Sequence, residues 1–177
     1  MERKIWLISD THFHHAKMVD YCYRPKDFEA RIMKALCQIP YTDILIHLGD
    51  IGMGQDQLVH NTYIKPLACK KWLVLGNHDK KSNSWYLDNS WDFVCKKFYS
   101  TYFGKRILFS HRPEKDDEYY DINIHGHFHN SERHQQEPEL LAIKNSKQKL
   151  LALEYEDYKP ILLKTFIEKY DINNPTI

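Results

Sequence analysis

The chain opens on a short apolar run, Lys4-Ile5-Trp6-Leu7-Ile8-Ser9, that stops at Asp10. So compact a run of bulky residues predicts a strand buried on both faces. The pattern returns in Asp43 to Leu48, ending at Gly49-Asp50, and in Lys71 to Leu75, ending at Gly76-Asn77-His78-Asp79. Between the strands, helical spacing near Phe28 to Gln38, closed by Pro40, predicts one helix, and Gln55 to Ile64 predicts another. A polar loop of His, Tyr and Arg precedes the first helix, and Ser82 to Ser90 reads as an exposed loop or short helix.

Beyond it, Phe93 to Phe98, Ser100 to Phe103, Arg106 to Phe109, Ile122 to His125 and Leu150 to Glu154 are predicted as strands. Pro113 to Tyr120 is a charged surface loop, with its acidic stretch from Glu114 to Glu118 solvated, and Leu163 to Tyr170 is a closing helix. Early strands alternate with helices and later strands dominate. That mixture predicts a layered α/β domain rather than a pure parallel sheet. No repeat, low-complexity tract or Pro/Gly/Ser linker divides the 177 residues, so residues 1–177 are expected to form a single domain.

Composition narrows the function classes. A net charge of +1 supplies no global basic field to hold duplex nucleic acid by counterion release. No apolar stretch is long enough to span a membrane and no signal peptide precedes the first strand-like run. Cys22, Cys37, Cys69 and Cys95 lie far apart, form no CxxC pair and read as small core residues. The expected setting is the cytoplasm. His47 and His125 fall inside strand-like runs and are expected as satisfied core histidines, whereas His60 and His134 are expected at the surface.

Metal-type side chains gather where the strands end. Asp10-Thr11-His12 places two such residues two apart, which on an extended strand end point to one side and reach one ion. Gly49-Asp50, Gly76-Asn77-His78-Asp79, His111 and Gly126-His127-Phe128-His129 follow. Loops at the carboxyl ends of strands are where sites assemble in α/β domains. Each cluster alone is a turn or a lone polar residue; the five together, in order, form a site.

The series D-x-H, G-D, G-N-H-D, H and G-H-x-H resembles that of the calcineurin-like metallophosphoesterases, over Asp10 to His129. The resemblance implies a layered sandwich of two mixed β-sheets flanked by helices. It implies that Asp10, His12, Asp50 and His129 hold one divalent ion, and that Asp50 bridges to a second held also by Asn77, His111 and His127. Manganese is favoured, with iron, zinc, nickel or magnesium as alternatives, since oxygen and imidazole donors suit such ions. Paired ions would let a bridging hydroxide attack a phosphate ester. His78 would protonate the leaving oxygen or steady the phosphoryl group, and Asp79 would hold the His78 ring.

The first loop is similar to a bacterial and phage subset in which D-T-H-F is followed by a further His and an Arg-Pro pair. His15 and Arg24 are thereby candidates to line the pocket and touch phosphate, and Arg112 a candidate for its cationic rim. Asn130 supports the site or caps a turn. The implied activity is hydrolysis of a small phosphorylated substrate, nucleotide-like in one version, with diesters favoured over monoesters. Two other readings stand beside it: a non-catalytic metal-binding or partner-binding scaffold, and a nuclease for short oligonucleotides or cyclic nucleotides. The oligomeric state is left open.

Overall fold

The computed structural model describes residues 3–116, 118–131 and 146–171. Strands β1 (Ile5–Ile8), β2 (Ile44–His47), β3 (Lys70–Val74) and β4 (Phe93–Cys95) run parallel in one sheet. A fifth strand, β9 (Ile161–Leu162), pairs antiparallel with β1, which gives the order β4-β3-β2-β1-β9. The second sheet has the order β5-β6-β7-β8, from Lys97–Tyr102, Lys105–Ser110, Ile122–His125 and Gln148–Leu150. Its β5–β6 pair is antiparallel and the rest parallel, so both sheets are mixed.

Side-chain alternation divides the core into two layers. Ile8, Leu45 and Leu73 face one way and pack with Phe28, Ile32 and Leu36 of helix α2 (Phe28–Leu36). Val59 and Ile64 join that layer from α3 (Asp56–Val59) and the π-turn that continues it (His60–Ile64), and Tyr86 joins from α4 (Asn83–Asp88). Leu7, Ile46 and Val74 face the other way and meet Ile107, Phe109, Ile122 and Ile124 of the second sheet. Phe166 and Ile167 of the closing helix α5 (Leu163–Asp171) extend this second layer. The first sheet is thus buried on both faces, which is why its strands read as continuous apolar runs. On β5 the residues instead alternate between exposed and half-buried.

The sequence expectation holds for most elements and needs correction at three places. The run Phe93 to Phe98 is not one strand: β4 ends at Cys95, and the chain leaves the first sheet at Lys96 to enter the second. The run Leu150 to Glu154 is the end of β8 followed by a 3₁₀ turn, Leu153–Tyr155. His60 is buried, not a surface residue. Trp91 Nε1 donates to its Nε2 at 3.0 Å, and its Nδ1 bonds the Asp56 carbonyl at 2.8 Å. The first loop also folds a single helical turn, α1 (Met18–Tyr21). His134 and part of the Glu114 to Glu118 stretch lie outside the described residues.

No helix among the described residues is long and apolar enough to cross a membrane.

Candidate metal centre

The carboxyl ends of β1, β2, β3, β6 and β7 meet at one edge of the two sheets, and all seven expected ligands lie there. Two groups of donors form. Asp10, His12 and His129 bring ligand atoms within 4.8 Å of one another, and so do Asp50, His111 and His127. Asp50 joins them: its Oδ2 is 3.7 Å from His12 Nε2 and 3.4 Å from His111 Nε2. Asn77 Oδ1 lies 3.0 Å from His111 Nε2, and His127 Nδ1 lies 3.2 Å from that same nitrogen.

The backbone delivers these side chains by an unusual route. Asp10, His12, Asp50, His127 and His129 all have positive φ, between 48° and 72°, a region that non-glycine residues rarely adopt. Asp10 and His12 therefore converge through left-handed turns, not through the alternation of an extended strand. Such strain costs about 1–3 kcal/mol per residue and persists where surrounding contacts over-determine it. Here the strand ends interlock: Asp10 N donates to the Gly49 carbonyl at 2.9 Å, and His12 N to the Asp50 carbonyl at 3.1 Å. Two glycines make room. A Cβ on Gly76 would collide with the Asp50 carboxylate, and one on Gly126 with Ser9 Oγ and Asp10 Oδ2.

A metal fits the donors' own needs. Asp10 Oδ1 and His12 Nε2 are buried without a hydrogen-bond partner among the described residues, a costly arrangement that a cation between them relieves. The His111 Nδ1 proton goes to the Leu48 carbonyl at 2.8 Å, so Nε2 is left to face Asp50 and Asn77. In the protein without metal, burial opposes charging of His111, but its bond to Asp50 and the charge of Asp10 outweigh that and raise it to about 9. His129 is raised to about 10, burial being outweighed chiefly by the Asp10 carboxylate. Protons thus occupy nitrogens that a cation would take, and ion uptake releases them.

The expected catalytic pair separates. His78 sits at the mouth with 35 % of its side chain exposed, Nε2 3.9 Å from Asp50 Oδ2, and its amide donates to Asp50 Oδ1 at 2.8 Å. Asp79 does not hold the His78 ring. Its carboxylate turns inward and accepts from the amides of Asp50 (2.8 Å), Gly76 (2.8 Å) and Ile51 (3.2 Å). Burial, reinforced by the Asp50 charge, lifts Asp79 to about 6 despite those amides.

A pocket of about 400 Å³ opens beside the donors. His15 lines it, as expected, along with Lys17, Met18, Tyr21 and Met53. Arg112 is exposed and does not line it. Arg24 is not in the pocket either. It is fully buried and bonds to the Asp10 and Thr11 carbonyls and to Glu154. Asn130 donates to the Cys22 carbonyl at 3.1 Å, tying the last ligand loop to the first loop. His47 and His125 are buried and satisfied, on Thr11 and Gly49 and on Gly126 respectively. Sequence reasoning missed Glu154, which bonds His129 Nδ1 at 3.3 Å. Cys22, His129 and Glu154 also cluster at donor spacing, but the Arg24 guanidinium, 2.8 Å from Glu154, already supplies the positive charge there.

The profile described as calcineurin-like phosphoesterase matches residues 3–171. An uncharacterized protein of Methanocaldococcus jannaschii is 29 % identical over 179 residues, covering 94 % of this chain and 90 % of its own. A protein of unknown function from Aquifex aeolicus superposes with a TM-score of 0.71 at 29 % identity, covering 95 % of this chain and 99 % of that one. A Pseudomonas putida nuclease superposes more loosely, with a TM-score of 0.48 at 19 % identity, over 72 % of this chain and 62 % of its own.

Proposed function

Since this chain belongs to the calcineurin-like phosphoesterase family, we propose that it hydrolyses a phosphate ester with two divalent ions, and a diester in preference to a monoester. The observation that carries this reading is the position of Asp50, whose one carboxylate oxygen faces a histidine of each donor group. Asp10, His12, Asp50 and His129 would hold one ion, and Asp50, Asn77, His111 and His127 the other, manganese being the favoured metal. Bound there, such ions supply Lewis acidity that offsets phosphoryl charge and acidifies a water nucleophile.

The protein's own side chains do the rest. His78, half-exposed beside Asp50, is placed to give a proton to the departing oxygen. Its backbone amide donates to Asp50 Oδ1, which ties the candidate acid to the shared carboxylate. Asp79 locks the amides that set the Asp50 turn. The preference for a diester is supported by charge. Lys17 is the one lysine or arginine among the described residues lining the pocket, which suits a monoanion better than a dianion. Tyr21, 61 % exposed on the same wall, offers an aromatic face to a nucleotide-like leaving group. The four cysteines are free thiols, which suits a reducing, cytoplasmic setting.

The test is a comparison of matched nitrophenyl phosphodiesters and monoesters with manganese-loaded protein. A higher kcat/KM for the diester is expected. A higher value for the monoester overturns the preference, and hydrolysis of neither overturns the activity.

A further inference from the structure

Arg24 and Glu154 are 130 residues apart in sequence and meet beneath His129. The guanidinium's bonds can be counted. Its Nε donates to Glu154 Oε1 at 2.8 Å, and its Nη1 to the Thr11 carbonyl at 3.1 Å. Its Nη2 donates to the Asp10 carbonyl at 2.8 Å and also lies 2.8 Å from Glu154 Oε1. His129 Nδ1 has both partners within reach, Arg24 Nη2 at 3.4 Å and Glu154 Oε1 at 3.3 Å. With a cation on Nε2 the ring's one proton would sit on Nδ1, where the Glu154 carboxylate is placed to accept it at 3.3 Å. Nε2 is the ring nitrogen turned towards Asp10 Oδ1, at 3.7 Å, the orientation of a metal ligand.

Arg24 also holds the carbonyl of Asp10, whose backbone is left-handed at φ 53°. Both side chains of the ion pair are almost wholly buried, at 0 % and 3 % exposure. An ion pair so desolvated adds little net stability, so its yield is geometric. The other donor group is supported from elsewhere: the Leu48 carbonyl orients His111, and Asp79 fixes the Asp50 turn.

We propose that Arg24 and Glu154 are positioning residues for one ion alone, the one held by Asp10, His12 and His129, so that the two ion sites are tuned separately. This rests on the two-ion reading. Glu154 sets the tautomer of His129, and Arg24 holds Glu154 and the Asp10 backbone in place.

The experiment is a manganese titration of metal-free protein, with unbound ion followed by electron paramagnetic resonance, on wild type and Glu154→Gln. Glutamine keeps the size and an acceptor for Arg24 but removes the charge. Two equivalents are expected in wild type. In the variant one should keep its affinity while the other weakens about 10–100-fold, with Glu154→Asp recovering part of the loss. Equal weakening of both, or no change, overturns the proposal. If Glu154→Gln does not fold, Arg24→Lys is read by the same criterion, since it keeps the buried charge and loses the fork. A single wild-type equivalent contradicts the two-ion reading by itself. The proposal, which rests on that reading, falls with it.

Discussion

The Asp79 carboxylate accepts the backbone amide of Asp50 at 2.8 Å, so the residue beside the candidate acid holds the candidate shared ligand instead of the His78 ring. Its oxygens also take the amides of Ile51 and Gly76. Asp79→Ala leaves three amides without their acceptor. At about 1.5–3 kcal/mol for each bond to a charged group, and with partial relief by water, a loss of at least about 3 kcal/mol in unfolding free energy is expected. Urea melts of metal-free protein measure it. Asp79→Asn, which keeps one acceptor oxygen, should fall between; wild-type stability in both variants would remove Asp79 from this role.

Gly76 and Gly126 are predicted to be intolerant of the smallest side chain. A methyl group at 76 meets the Asp50 carboxylate, and one at 126 meets Ser9 and Asp10. Gly76→Ala and Gly126→Ala should each displace a shared or terminal ligand and reduce bound metal below the wild-type stoichiometry. Elemental analysis after dialysis gives the answer, and full metal content in either variant would contradict the close approach.

His47 links stability to acid. Gly49 N donates to its Nδ1 at 3.1 Å, so Nε2 carries the proton and gives it to Thr11 Oγ1 at 2.9 Å, while Thr11 donates to the Ile51 carbonyl. Burial, partly offset by Asp50, drives this imidazole down to about 3. The unfolded chain takes up a proton near pH 6.5 that the folded chain refuses until about pH 3. Stability from this group is therefore present above pH 6.5 and falls as pH drops towards 3, by about 1.4 kcal/mol per unit. His47→Gln should flatten the decline of unfolding free energy between pH 6.5 and 4, and an unchanged slope would sink the assignment.

Metal removal should destabilise the fold. Ions that bind only the native chain add about 2.7 kcal/mol at a concentration 100-fold above Kd. For a chain of this length that corresponds to roughly 5–10 °C in Tm. Chelation should lower Tm by that order and manganese should restore it. No shift in scanning calorimetry would mean that the donor groups hold no ion.

The clustering of the candidate ligands was legible because each motif is local. D-x-H, G-N-H-D and G-H-x-H sit directly after runs whose apolar pattern marks strands, and those strands do end at one edge. How Asp10 and His12 converge was not legible, since left-handed backbone at Asp and His leaves no mark of the kind that glycine leaves. Arg24 and Glu154 carry a pairing between remote segments, and Glu154 stands in an unremarkable Leu-Ala-Leu-Glu stretch. Nothing local distinguishes Arg24 as a buried brace from Arg24 as a phosphate contact. His60 was misread for the same reason: its partner Trp91 lies 31 residues away, across a helix. The break at Lys96 depends on two sheets competing for one extended run, which no period-2 pattern records.

The most direct measurement is manganese-dependent release of nitrophenol from a phosphodiester by wild type and Asp50→Ala, assayed side by side after chelation and reloading. Asp50 faces both donor groups, so the expected result is turnover that returns with manganese in wild type and is absent in the variant. Equal turnover by the two proteins, or none by wild type with any divalent ion, would contradict it.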